Sequence, residues 1–457
     1  MIRGVPKMKF KSQLATVAGR TSQQLLKRFT SGGTSLPGKI AQKIDPEILK
    51  ALGENYRVVI ITGTNGKTVT TALTVNILKQ KFDHVMTNNS GSNMLQGITS
   101  SFIEDSGTKT KDKVAVLEVD EASLRHITEH IKPEVILTTN IFRDQMDRYG
   151  EIYTTYDFIL QGAAKAKDAI LMQNGDAPIF SSRKVDNKQV FFGFNTEDQS
   201  KDFLADNNTD GVICPNCEHV LHYHSITYSN LGDYFCPNCG VSRPALTYQV
   251  EEINELTPES ASFTIDGYQY NIPVAGLYNV YNALSAYSLG RYFGVSQTDI
   301  AEGLQGAKRI FGRQEAINVE GHDLRINLIK NPVGLNQIIE LCLLEKAPYT
   351  LISVLNDRPA DGQDVSWIWD GNFEKLAEMD NIEASYVAGI RVADLSKRMA
   401  VAGFNQDQLI QLEDPKAIIE TVKNAPTEKV YILATYTAML AIRKELAELG
   451  YVKERMR

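Results

Sequence analysis

Residues 58–68 read VVIITGTNGKT, an apolar β-branched run that ends in Gly63-Thr64-Asn65-Gly66-Lys67-Thr68 and passes into the helix-compatible stretch VTTALTVNIL. A strand, a glycine turn and a helix in that order form a phosphate cradle. Backbone N–H groups of the turn and of the first helical turn converge on one point, Lys67 adds a mobile positive charge, and the Thr68 hydroxyl suits Mg²⁺. The general pattern asks for a further glycine where Ile61 stands, so the loop is a shortened variant. A plain glycine turn leaves Gly-Lys-Thr directly after a strand unexplained. The stretch therefore points to ATP or a related nucleotide.

The chain around this loop is too long for one core: 457 residues imply two or three domains. With 43% hydrophobic and 23% charged residues it has the composition of a globular protein. No apolar run approaches the ~20 residues that span a bilayer, and the first segment lacks the apolar core and cleavage site of a signal peptide. A net charge of −7 argues against a surface that binds nucleic acid as a whole. The sign is uneven, since residues 1–50 contain ten Lys/Arg against only Asp45 and Glu47. Residues 8–30 can form a helix carrying Lys9, Lys11, Arg20, Lys27 and Arg28. Such a helix suits anionic lipid headgroups, or equally a solvated or partner-docking face.

Strand-like runs VVIIT, VAVLEV (114–119), VILTT (135–139) and AILM (169–172) alternate with amphipathic stretches. That rhythm predicts a parallel sheet covered by helices on both faces, an α/β fold. The chain turns polar near 196–212, and apolar alternation resumes near Leu246. From about Phe311 a second series begins: LRINLI, YTLISVL (349–355), ASYVAGI (384–390) and KVYILAT (429–435), a separate and smaller Rossmann-like α/β unit.

Between the two series lie Cys214-Pro-Asn-Cys217 and Cys236-Pro-Asn-Cys239, separated by 18 residues. This spacing predicts a zinc ribbon in which four thiolates close a tetrahedral site, leaving the metal a structural role. His219, His222 and His224 lie between the pairs as alternative ligands. Two matched CxxC pairs without an export signal fit a reducing cytoplasm better than disulfides. Cys342, in IIELCLLEK, reads as a buried small apolar residue.

Further stretches resemble the Mur-ligase family of ATP-dependent amide-bond formers. GTNGKT is that family's shortened loop, and Glu118, closing VAVLE, matches its strand-end Mg²⁺ ligand. NIFRDQMDRYG (140–150) resembles its strand-end Asn followed by two aspartates, here Asp144 and Asp147, with Gln145 in place of the usual His. Asn174-Gly-Asp176 resembles the segment near the adenine pocket. GLYNVYNA, with Asn279 and Asn282, resembles Gly-x-His-Asn-x-x-Asn-Ala, with Tyr278 in the His place, and the resemblance implies that Asn279 belongs to the nucleotide-binding set. Gly312-Arg313-Gln-Glu315 matches a motif whose Arg touches phosphate. Within that family the ribbon and the segment DGQDVSWIWD (361–370) resemble, from about Leu36 onward, the synthetase subunits of lipid II isoglutaminyl synthases. The phosphate loop begins after only some 60 residues, so the N-terminal domain that holds a UDP-sugar in ordinary members is not expected.

The resemblance implies a basic helical segment at 1–44, a Mur-ligase-type ATPase domain at 45–312 with the ribbon inserted at 206–246, and a glutaminase-docking α/β domain at 313–457. It implies ATP, Mg²⁺ and structural Zn²⁺, a lipid-linked substrate at the inner membrane face, and a separate glutaminase of the GatD type. The D-glutamate α-carboxylate of the stem peptide would become an acyl phosphate that ammonia displaces. Gly63–Thr68 would hold the phosphates, Thr68 and Glu118 the Mg²⁺, and Arg313 developing charge; Asn93 lies where a further Mg²⁺ or phosphate contact belongs. Asp364 would complete the partner's Cys–His pair, whereas as plain turn residues Asp361, Asp364 and Asp370 would only cap a polar loop. Trp367 and Trp369 beside them suit either a core or an interface. Two other readings compete: a stand-alone ligase like folylpolyglutamate synthase, and a ribbon module binding nucleic acid. Residues 211–242 contain no Lys or Arg, which disfavours the second.

Overall fold

A computed structural model describes residues 8–29, 35–88, 93–110, 112–144, 152–195, 198–205, 211–306 and 313–452. Three helices open it: α1 (Phe10–Phe29), α2 (Leu36–Ile44) and α3 (Ile48–Gly53). The strands β1 (Arg57–Thr62), β2 (His84–Thr87), β3 (Lys113–Glu118), β4 (Val135–Thr138), β5 (Ile170–Asn174) and β6 (Gln189–Phe194) follow. Helices α4 (Lys67–Leu78) and α5 (Leu95–Asp105) connect the first three. After β7 (Phe203–Leu204), β8 (His222–Tyr228) and β9 (Leu231–Phe235), β10 (Tyr248–Val250) completes a seven-stranded sheet of order β10-β6-β5-β4-β1-β3-β2, parallel throughout.

The β-branched run predicted from the sequence is an interior strand of this sheet, between β4 and β3. Val58 to Ile61 are almost wholly buried, as a parallel strand covered on both faces must be. The chain leaves β1 toward the β3–β2 edge and returns to lay β4 on its other side. The carboxyl ends of β1, β3 and β4 therefore open at a topological switch point, where open α/β sheets bind ligands.

A meander of β11 (Glu252–Leu256), β12 (Ala261–Ile265) and β13 (Tyr268–Ile272) packs on the first sheet's core. The helix Leu277–Tyr292 then packs along α4. The hairpin β14 (Arg313–Val319) and β15 (His322–Leu328) starts the second sheet. With β16 (Tyr349–Val354), β17 (Ile382–Ala388), β18 (Leu409–Gln411) and β19 (Lys429–Ala434) its order is β14-β15-β19-β16-β17-β18. All pairs but β14–β15 are parallel. The fold is α/β with two large sheets, as the two alternating series predicted, and the described residues add two three-stranded antiparallel sheets.

β7, β8 and β9 form a small antiparallel sheet around Tyr223 and Tyr234, with Cys214 and Cys236 in its core. Arg243 anchors it by pairing with buried Asp176 at 2.9 Å and with Asp233 at 3.1 Å. Tyr281 donates to Asp176 at 2.7 Å from the helix Leu277–Tyr292. Asp176 thus ties ribbon, sheet and helix together.

Candidate active site

The loop Gly63–Thr68 is held from both sides. Asn140, just past β4, accepts from the Asn65 N–H at 2.9 Å and donates to the Asn65 carbonyl at 3.1 Å, while its own carbonyl takes the Thr64 N–H at 2.9 Å. Gly63 has φ +122°, and a Cβ there would fall 2.4 Å from Thr139 Oγ1. Gly66 has φ +85°, and its Cβ would fall 2.1 Å from Asn282 Oδ1. The two glycines are therefore demanded by backbone sign and by the asparagine and threonine packed behind the loop. Asn282 accepts from Thr70 Oγ1 at 3.3 Å and is itself braced by Asn279, whose amide donates to the Ala275 carbonyl at 2.7 Å. Asn279 is buried, supporting the loop from behind.

Thr68, Glu118 and Asn93 meet at the carboxyl end of β3. The Thr68 hydroxyl donates to Glu118 Oε1 at 3.1 Å and the Asn93 amide donates to the same oxygen at 2.8 Å. Asn88 fixes the backbone beneath, accepting from the Glu118 N–H at 2.9 Å and donating to its carbonyl at 2.8 Å. Hydroxyl, carboxylate and amide oxygens are the donors a hard divalent cation takes.

Lys67 donates to the Gly63 carbonyl, and to Glu121 Oε1 at 3.2 Å. Burial opposes its charge, but Glu121, Glu118 and Asp144 outweigh that cost and hold its pKa above the ordinary lysine value. Burial pushes Glu121 upward, only partly offset by Lys67. Lys67 thus remains a cation in a buried, carboxylate-lined loop.

Sequence reasoning missed Glu121 and the two residues that approach from the second sheet. Lys330 lies 2.5 Å from Asp144 Oδ2 and 3.4 Å from the Thr64 carbonyl. Asn331 caps the helix Pro332–Leu343, accepting the Gly334 N–H at 2.7 Å, and donates to Asn65 Oδ1 at 3.2 Å. An Asn-Pro pair directly after a strand signals a helix start; nothing local signals that this start lands on the phosphate loop. Gln145, Asp147 and Gly312 lie outside the described residues, as do the side chains of Lys27, Arg28, Arg313 and Glu315.

Asp364 stands apart, in the loop after β16. Its exposed carboxylate accepts the Ser366 N–H at 2.8 Å, and the bonds from Ser366 hold its pKa below the ordinary aspartate value. Asp361 anchors this loop: buried, it accepts from Thr437 N at 2.7 Å and Thr437 Oγ1 at 2.5 Å at the start of the last helix. Arg143 pairs with Asp370. Asn336, on the helix that Asn331 caps, donates to the Asp370 carbonyl at 3.2 Å and accepts the Asn372 N–H at 2.7 Å. Trp367 packs on the second core, whereas Trp369 is 44% exposed beside Arg398.

The four ribbon cysteines present sulfurs all within 4.8 Å of one another, with Cys214–Cys239 and Cys217–Cys236 at 3.5 Å. A tetrahedral site with metal–sulfur bonds of ~2.3 Å needs sulfurs about 3.8 Å apart, so the set fits one ion. Each knuckle turns back through a residue with positive φ, Glu218 and Gly240, whose N–H bonds the first cysteine's carbonyl at 3.0 Å. The Val241 N–H aimed at Cys239, together with Asn216, draws its thiol down toward a thiolate, whereas burial pushes the neighbouring Cys214 thiol up. His222 and His224 turn instead to Asp202 and to the Lys201 carbonyl.

This two-sheet architecture, with a glycine loop beneath the first helix of the larger sheet, is the Mur-ligase fold. Residues 61–290 match the Mur ligase middle domain and residues 328–439 the MurT ligase C-terminal domain. Among solved structures, the pseudomurein peptide ligase type C of Methanothermus fervidus superposes with TM-score 0.64 at 21% identity, covering 89% of this chain and 81% of that one. The ADP complex of Mycobacterium tuberculosis folylpolyglutamate synthase gives 0.62 at 13% identity, covering 95% and 99%.

Sequence likeness narrows the class. The chain is 43% identical to the lipid II isoglutaminyl synthase (glutamine-hydrolyzing) subunit MurT of Streptococcus pneumoniae, over 98% of its own length and 100% of that protein. The subunit of the same name from Staphylococcus aureus strain COL is 35% identical over 90% and 91%. The chain belongs to the MurT family. It is a ligase of the Mur class, from a family whose members are named as subunits of a larger enzyme. Among the described residues, no helix is long and apolar enough to cross a membrane.

Proposed function

We propose that this protein is the ATP-dependent synthetase subunit that amidates the D-glutamate α-carboxylate of the lipid II stem peptide, using ammonia from a GatD-type glutaminase. The observation that carries the reading is the convergence of Lys67, Thr68, Glu118 and Asn93 on the turn between β1 and α4, in a chain so similar to lipid II isoglutaminyl synthase subunits.

A carboxylate has no leaving group at neutral pH. Transfer of the γ-phosphoryl group to a carboxylate oxygen, with ADP released, supplies one. Ammonia then adds to the carbonyl carbon, the C–O bond to phosphate breaks, and a proton leaves the new amide nitrogen. Lys67 and the loop N–H groups hold and neutralise the phosphates, and Lys330 approaches the same loop from the second domain, 3.4 Å from the Thr64 carbonyl; the family resemblance gives Arg313 the same task. Such transfers depend chiefly on positioning and charge stabilisation. Thr68, Glu118 and Asn93 would hold Mg²⁺, which spreads the negative charge of the phosphates.

The chain supplies no thiol for splitting glutamine. Four of its five cysteines form the ribbon cluster, and Cys342 is fully buried, its thiol pushed up to about 12 by burial. Asp364, exposed and ionised, suits a carboxylate that orients a partner's catalytic imidazole. The ribbon takes structural zinc: elemental analysis should give about one zinc per chain, and Cys236→Ser should remove it and expose the ribbon to proteolysis. Metal-free protein with an intact ribbon would refute that assignment.

The competing reading is a stand-alone amino-acid ligase, which the folylpolyglutamate synthase likeness supports at the level of fold alone. Lipid II, ATP and ammonium chloride should yield the amide without any partner, whereas amino acids should yield no adduct. A product carrying an added amino acid would favour the competing reading.

A further inference from the structure

The first helix carries an outward apolar stripe that the ligase reading leaves unused. Phe10, Leu14, Val17 and Leu25 are 82, 52, 61 and 51% exposed. At 100° per residue they fall on one side of α1, with Thr21 between them. The opposite side is fully used: Ser12, Ala15 and Thr16 are buried against α2 and α5, Ser12 donates to Asp45 at 2.6 Å, and a Cβ on Gly19 would meet Ile103 at 2.8 Å. The stripe therefore cannot turn inward without undocking the helix.

Charge identifies what covers it. Lys9 and Lys11 are exposed and flank Phe10, about 100° to either side. Residues 1–44 hold nine Lys/Arg and no Asp/Glu, in a chain whose net charge is −7. An apolar stripe edged by cations on a helix without acidic residues fits an interface that is anionic at its surface and hydrocarbon beneath, with lysine stems reaching back to the headgroups. We infer that α1 lies in the surface of an anionic bilayer, inserting Phe10, Leu14, Val17 and Leu25 between acyl chains while Lys9 and Lys11 contact phosphate.

The inference goes beyond the ligase reading and is tested without turnover. The full chain is floated with vesicles of phosphatidylglycerol and phosphatidylethanolamine, or of phosphatidylcholine alone. Wild type should partition at least about ten-fold more strongly onto the anionic vesicles and lose that preference at high salt. Phe10→Gln combined with Val17→Gln should reduce binding about ten-fold with the melting temperature unchanged, since both side chains are exposed. Lys9→Glu with Lys11→Glu should abolish the preference for anionic lipid. No binding to anionic vesicles, or equal binding by the Phe10/Val17 variant, would overturn the inference. So would a variant that binds vesicles normally but loses self-association or the glutaminase, since the stripe would then be a protein contact.

Discussion

Lys67→Ala should abolish amidation with either nitrogen source, lowering turnover on the order of 10³-fold, while the purified variant still binds the glutaminase. The size follows from where Lys67 sits. It is largely shielded, with 15% of its side chain exposed, its charge is favoured by Glu121, Glu118 and Asp144, and its ammonium lies against the Gly63 and Thr64 carbonyls. A cation that the fold keeps charged in a site largely shielded from water acts on phosphate far more strongly than one in solvent. Removing it also leaves Glu121 buried without its partner, so the melting temperature is measured alongside. Lys67→Arg keeps the charge and serves as the control for stability. Activity near wild type in Lys67→Ala would mean that the loop does not handle the phosphates.

Asp364→Asn should divide the two nitrogen sources. Glutamine-dependent amidation should fall on the order of 10³–10⁴-fold, by analogy with loss of the carboxylate from a catalytic triad. Ammonium-dependent amidation should stay within about two-fold, because among the described residues the Asp364 carboxylate is hydrogen-bonded to Ser366 in its own turn and not to the phosphate loop. The loop itself should survive, since Asp361 and not Asp364 carries the bonds to Thr437. With a pKa held below the ordinary value, Asp364 is ionised throughout the neutral range. The glutamine-dependent rate should therefore show no loss attributable to Asp364 until pH falls below the usual aspartate range. Loss of the ammonium-driven reaction in Asp364→Asn would instead place the residue in the synthetase site.

Legibility in the sequence followed the range of the interactions. The central strand, its loop and the first helical turn are encoded by adjacent residues, and VVIITGTNGKT displayed them whole. The strands β3, β4, β5, β15, β16 and β19 were visible for the same reason, as apolar runs largely covered on both faces, and β17 as a shorter apolar run whose end alone is buried. The short β2, HVMT, has too little periodicity to stand out, and the β11–β13 meander mixes polar and apolar residues because one side meets solvent. The ribbon was legible from cysteine spacing alone.

The approach of Lys330 and Asn331 was not legible. Asn331 and Asn65 are 266 positions apart, and their contact depends on how the second sheet docks on the first. Glu121 was missed because its role comes from facing Lys67 rather than from any pattern around it. The sequence likewise placed Asn279 within a motif without saying that it braces Asn282 from behind.

Lipid II carrying ¹⁸O in both oxygens of the D-glutamate α-carboxylate is incubated with ATP, ammonium and the purified chain, and the released phosphate is analysed by mass. If the carboxylate is activated by phosphoryl transfer, each amide formed sends one ¹⁸O into inorganic phosphate and keeps the other. Phosphate free of ¹⁸O, alongside labelled amide, would mean that the acid is activated in some other way.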